Sequence, residues 1–65
     1  QSGALAGAGR AVSDADKLPG DVVCYYGHVG IYIGNNQIVH ASTAKTGIKV
    51  SNMYYRSISC IRRYW

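Results

Sequence analysis

The side chains in these 65 residues best suited to moving a proton or attacking an electrophile near neutral pH are two histidines, His28 and His40, and two cysteines, Cys24 and Cys60. An imidazole titrates close to neutrality, and a second polar group on its other ring nitrogen can fix its tautomer. A thiol attacks only as the thiolate, which needs a helix N-terminus or a nearby cation to form at neutral pH. What the four residues can do together therefore depends on which elements carry them and which way each one points.

The elements are strands. Residues 1–17 (QSGALAGAGRAVSDADK) are small and polar, with Leu5 and Val12 the only sizeable apolar groups. They read as a loosely ordered lead-in with a single helical turn near Ala4–Ala8, because Gly3, Gly7 and Gly9 weaken any longer helix. Leu18-Pro19-Gly20-Asp21 is a turn. Val22–Tyr26, His28–Ile33, Gln37–Ala41, Ile48–Ser51 and Ser57–Tyr64 are short runs of β-formers separated by turn residues, the pattern of an antiparallel sheet. In the last of these, Ile58 and Cys60 are expected on one face and Ser59 and Ile61 on the other. Asn52–Arg56 is ambiguous.

Parity decides whether the histidines meet. A two-residue loop at Asn35-Asn36 sets Ile31 opposite His40 and puts the two rings on opposite faces. A three-residue loop, Gly34-Asn35-Asn36, sets Ile31 opposite Val39 and Gly30 opposite His40. It collects Val29, Ile31, Ile33, Val39 and Ala41 on one face, and His28, Gly30, Tyr32, Ile38, His40 and Ser42 on the other. The second register segregates the faces and suits a turn ending in a left-handed Asn36, so it is the expected one. The histidines are then diagonal neighbours with only Gly30 between them. Tyr32, Gly30 and Ser42 share their face and are candidate substrate-lining positions.

The cysteines point elsewhere. With Tyr26-Gly27 as a tight turn, Tyr25 opposes His28 and Cys24 opposes Val29, which puts the Cys24 thiol on the apolar face. Both cysteines lie in apolar, β-branched stretches and read as core thiols; a Cys24–Cys60 pair stays open if the first and last strands are neighbours. Zinc held by Cys24, His28 and His40 fails on the same parity and lacks a fourth ligand of obvious spacing.

Composition narrows the classes. A chain of 7.0 kDa with 48% apolar residues is one small unit with a marginal core, one that leans on a crosslink, a partner or further chain. No apolar run is long enough for a membrane-spanning helix. The first residue is Gln and no secretory leader pattern is present, so the chain reads as a processed or excised piece. The net charge of +4 reads first as a solvated basic face. No base-reading helix, zinc-finger spacing or aromatic RNA-binding motif is present, so nucleic acid is not an expected partner.

From Leu18 onward the chain resembles the C-terminal half of the NlpC-type cell-wall cysteine endopeptidases, a papain-like family. The resemblance rests on Leu18-Pro-Gly-Asp-Val-Val, Gly27-His-Val-Gly-Ile-Tyr-Ile-Gly, Gln37-Ile-Val-His-Ala and Ile61-Arg-Arg-Tyr, in that order. It implies an α+β parent domain in which residues 18–65 supply an antiparallel, partly barrel-like sheet. The helical half that carries the nucleophile, an Asp-Cys-Ser-Gly motif at a helix N-terminus, is absent from this sequence. It further implies His28 as catalytic base, His40 as the residue that orients it, and hydrolysis of an amide bond in peptidoglycan stem peptides outside the membrane or at the cell wall. No metal or organic cofactor is called for, and the missing half of the domain, in the same parent chain or a second one, is the expected partner. On that resemblance the 65 residues alone are expected to be inactive. A different class stays open beside it: a non-catalytic cell-wall or glycan-binding module using the basic and aromatic C-terminal end (Tyr54, Tyr55, Tyr64, Trp65).

Overall fold

In the computed structural model, which describes residues 9–43, 45 and 47–65, six strands form one antiparallel sheet. In chain order they are β1 (Arg10–Ala11), β2 (Val22–Tyr25), β3 (His28–Gly34), β4 (Gln37–Thr43), β5 (Gly47–Asn52) and β6 (Ile58–Arg63). Across the sheet the order is β1-β6-β2-β3-β4-β5, so among the described residues β1 and β5 are the edge strands and the sheet is open, not the partly barrel-like one expected. The only helical element among the described residues is a 3-10 turn at Asp14–Asp16. Part of the supposed lead-in is thus ordered: Arg10 and Ala11 pair with Arg63 and Arg62. The helical turn expected near Ala4–Ala8 lies outside the described residues.

Two tight turns set the central hairpins. Tyr26-Gly27 turns β2 into β3 with Tyr25 opposite His28 and Cys24 opposite Val29; Gly27 supplies the positive φ, +75°, that the turn needs. Between β3 and β4 the partners are Ile31↔Val39 and Tyr32↔Ile38, the expected register, but the turn that achieves it differs. Gly34 belongs to β3 and pairs with Gln37, leaving Asn35-Asn36 as a two-residue loop with both residues at positive φ (58° and 59°). A mirror-image turn of this kind matches the strand twist, and a bulge at Ile33 absorbs the extra residue and restores the phase.

The core sits on the histidine-bearing face. Val23, Tyr25, Tyr32, Ile38, Met53 and Ile61 form it, with Val12 and Ile58 packed against them. The purely apolar face is the more open one: Ile31, Ile33, Ile48 and Val50 are 43, 42, 73 and 51% exposed. The reason is the β5–β6 connection. β6 pairs with β2, not with neighbouring β5, so residues 53–57 must cross the sheet, and they cross over the histidine side. Fully buried Met53 donates its N–H to Asn36 O (2.8 Å) and accepts the Tyr25 hydroxyl at its carbonyl (2.6 Å).

β6 also departs from simple alternation. Ile61 pairs with Val23 and Cys60 with Cys24, but a bulge then brings Ile58 opposite Tyr25. Ile58 therefore packs with the core beside Ile61 and does not share a face with Cys60.

The Leu18–Asp21 turn is held by Asp21, whose carboxylate is fully buried. It accepts the Leu18 N–H (2.8 Å) and a two-pronged contact from Arg63, Nε to Oδ1 at 2.7 Å and Nη2 to Oδ2 at 2.8 Å. The Arg63 hydrogen bonds hold the Asp21 carboxyl below the usual carboxylate range, against burial that pushes it up.

Candidate active site

The two histidines touch. His28 opens β3 and His40 lies in β4 one pair beyond Val39, so their side chains leave the same face. His28 Nε2 is 2.7 Å from His40 Nδ1, with the rings 5.0 Å apart and nearly perpendicular. His40 Nε2 in turn lies 2.8 Å from Ser51 Oγ on β5. This makes an unbroken chain, His28–His40–Ser51, across three adjacent strands.

Gly30 makes the contact possible. A Cβ at this position would stand 2.7 Å from Ile38 Cδ1, 3.2 Å from Ile38 Cβ and 3.4 Å from His40 Cβ. Ile38 is fully buried and cannot swing into solvent. Gly30→Ala is therefore expected to destabilise the sheet by about 1–3 kcal/mol and to displace His40, lowering whatever activity the site has. Denaturant unfolding checks this, and an unchanged midpoint would mean that Ile38 repacks freely.

Aromatic rings wall the pair. Tyr55 lies against His40 (5.2 Å between centroids) and meets Tyr25 edge-on at 5.3 Å, while Tyr25 stands 6.3 Å from His28. The Arg56 guanidinium is within 6 Å of both tyrosine rings. Burial first, then the neighbouring charges of His28, Lys49 and Arg56, lower the pKa of His40 and favour its neutral form. A neutral imidazole can accept at one nitrogen and donate at the other, which is what an orienting group must do.

The remaining candidates are placed as follows. Tyr32 is in the core cluster, its hydroxyl accepting the Asn36 N–H at 3.4 Å, at the end of β3 away from His28. Ser42 lies two residues beyond His40 in β4 and is half-buried. Cys24 is fully buried and pairs in register with Cys60, and burial pushes its thiol up to about 11. The thiolate is thus scarce at neutral pH, and β-alternation points it away from His28. The basic and aromatic C-terminal end is largely engaged within the chain. Arg63 grips Asp21 and lies 4.8 Å over the Trp65 ring, and the Tyr54 hydroxyl bonds the Asp14 carboxylate.

A groove of about 410 Å³ is lined by Val29, Ile31, Val39, Ala41 and Ile48 of the apolar face, and His28, Gly30 and His40 also border it. Ser51 and Tyr55 were not apparent as site residues in the sequence. Ser51 reads only as the polar end of an alternating strand, and Tyr55 falls in the ambiguous segment.

The model of the NlpC/P60 family matches residues 1–62, and the chain belongs to that family. Its sequence is 48% identical over 50 residues to the murein DD-endopeptidase MepS/murein LD-carboxypeptidase of Escherichia coli (strain K12), a match covering 69% of this chain and 26% of that protein. Its fold is similar to part of NlpC2 from Trichomonas vaginalis, with a TM-score of 0.80 and 32% identity over 91% of this chain and 27% of that one. NlpC1 from the same organism matches with a TM-score of 0.75 and 36% identity, over 89% of this chain and 25% of that one. The chain spans about a quarter of the length of each of these relatives.

Proposed function

We propose that the protein containing this chain is a cysteine endopeptidase that hydrolyses amide bonds in peptidoglycan stem peptides, with His28 as general base and His40 as its orienting partner. The observation that carries the reading is the 2.7 Å contact between His28 Nε2 and His40 Nδ1 in a chain of this family. With His28 Nε2–H donating to His40, His28 Nδ1 keeps its lone pair and can take a thiol proton. The thiolate attacks the substrate carbonyl, and the tetrahedral intermediate collapses as the His28 imidazolium protonates the departing amine. His28 then takes a proton from water, whose oxygen displaces the thiol and releases the carboxylate.

The nucleophile is a cysteine outside these 65 residues, carried at a helix N-terminus by a preceding segment of the parent chain or by a second chain. The open apolar face of Ile31, Ile33, Ile48 and Val50 suits the packing of further chain, while the thiol itself must approach His28 from the side of the ring. The sheet alone is accordingly inactive. Action on peptidoglycan puts the protein outside the cytoplasmic membrane.

The test is cleavage of purified stem peptides by the complete protein. Thiol alkylation is expected to block it, and the Cys24→Ser/Cys60→Ser double variant is expected to keep turnover and alkylation sensitivity while losing about 1–3 kcal/mol of stability to a buried hydroxyl. Absence of cleavage, or loss of activity in the double variant at temperatures where it stays folded, overturns the assignment.

A further inference from the structure

The third member of the hydrogen-bonded chain has a role that goes beyond the two histidines. We propose that Ser51 is a positioning residue, whose hydroxyl oxygen accepts the His40 Nε2–H and so holds the His28–His40 pair in the one proton arrangement that leaves His28 Nδ1 able to act as a base. The inference rests on the reading of His28 as that base.

A hydrogen-bonded imidazole pair can be written in two directions. In one, His28 Nε2–H donates to His40 Nδ1, and His40 carries its proton on Nε2. In the other, His40 Nδ1–H donates to His28 Nε2, and His28 carries its proton on Nδ1, where it blocks proton abstraction. The two differ at the far end of the chain: the first needs an acceptor at His40 Nε2 and the second a donor, and a serine hydroxyl can serve as either. Ser51 Oγ stands there at 2.8 Å. Once His28 is doubly protonated only the first direction survives, because both of its nitrogens then donate. The hydroxyl acceptor thus supports the very state the reaction passes through.

The placement of Ser51 follows from the sheet. Its Cα partner is Ile38, and the partner of His40 is Lys49, so Ser51 sits one same-face step along β5 from the point opposite His40. Ser51 is half-buried, which leaves its own hydroxyl proton room to reach solvent while His40 is enclosed. Among the described residues, other polar or charged groups near the pair include Tyr25 from β2, Ser42 on the same face of β4, Lys49 from β5, and Tyr55 and Arg56 from the connection that follows. Lys49 and Arg56 carry no acceptor, and the hydrogen bond at His40 Nε2 is the one to Ser51 Oγ.

The experiment compares Ser51→Ala, Ser51→Thr and Ser51→Val in the complete protein, using nitrogen-15 NMR of the histidine rings and stem-peptide kinetics. Thr and Val differ only in the hydroxyl, so a fold effect of branching cancels between them. The expected result is that the native protein and Ser51→Thr show His40 protonated on Nε2. Ser51→Ala and Ser51→Val should gain the Nδ1-protonated form, with kcat lower by roughly tenfold and KM within about twofold. An unchanged His40 tautomer in Ser51→Val overturns the proposal, as does an equal loss of kcat in Thr and Val. If His28→Ala remains active, the base assignment falls by itself, and the ring spectra still decide whether Ser51 sets the tautomer.

Discussion

His28→Ala is expected to reduce kcat of the complete protein on stem peptides by at least roughly a thousandfold, with little change in KM or in the melting of the sheet. The size follows from the two jobs assigned to one ring, activating the thiol and protonating the leaving amine; each proton transfer by a positioned base contributes about 10²–10⁴-fold. The fold should tolerate the change because His28 opens its strand and is only half-buried, outside the core cluster. His40→Ala is expected to cost less, since the base survives and only its orientation is lost. Because burial lowers the pKa of His40, the folded state favours its neutral form. The stability this contributes is present above the ordinary histidine pKa of about 6.5 and declines as pH falls below it. Steady-state kinetics on the two variants checks the ordering, and turnover of His28→Ala within tenfold of the parent would remove His28 from the mechanism.

The largest effect on stability is expected at Asp21. Asp21→Ala should cost about 3–5 kcal/mol, because it leaves the Arg63 guanidinium without its two-pronged partner and the Leu18 N–H without its acceptor. A sheet of this size has a total stability of only about 3–10 kcal/mol, so the isolated strands would be brought close to unfolding. Arg63→Lys keeps the charge but not the fork, and its loss should be intermediate. The acid response has a definite sign. The folded-state pKa of Asp21 is depressed, so its contribution is complete above the unfolded carboxylate value of about 3.9 and is lost as pH falls through the folded value. Thermal melts followed by circular dichroism should therefore show a parent protein that weakens below about pH 4 and an Asp21→Ala variant that is weaker throughout and flatter there. Equal melting temperatures at pH 7 would show that the ion pair contributes no net stability.

Much of the site could be read from local sequence, for a physical reason. Hairpin partners are set by turn residues and by period-two alternation, both written within a dozen residues. Tyr26-Gly27 and the segregation of Ile31 and Val39 from His28 and His40 suffice to place the two rings on one side. Even so, the turn at Asn35-Asn36 was a different solution to the same constraint. A bulge and a loop with two positive φ values give the same phase as the longer loop, and sequence alternation reports the phase alone.

The chain by itself determined five of the six strands, the phase of the central hairpins and the family, but not the short strand at Arg10–Ala11. What tertiary structure decided was everything that depends on strands far apart in sequence. The β4–β5 register brings Ser51 to His40, and β6 slots between β1 and β2, joining Arg63 to Asp21. The crossing of Met53 and Tyr55 over the histidine face makes that side, and not the wholly apolar one, the core. These pairings carry no local signature. Each is chosen by which arrangement buries the most apolar surface with its polar groups still partnered, a property of the whole sheet and of no single segment.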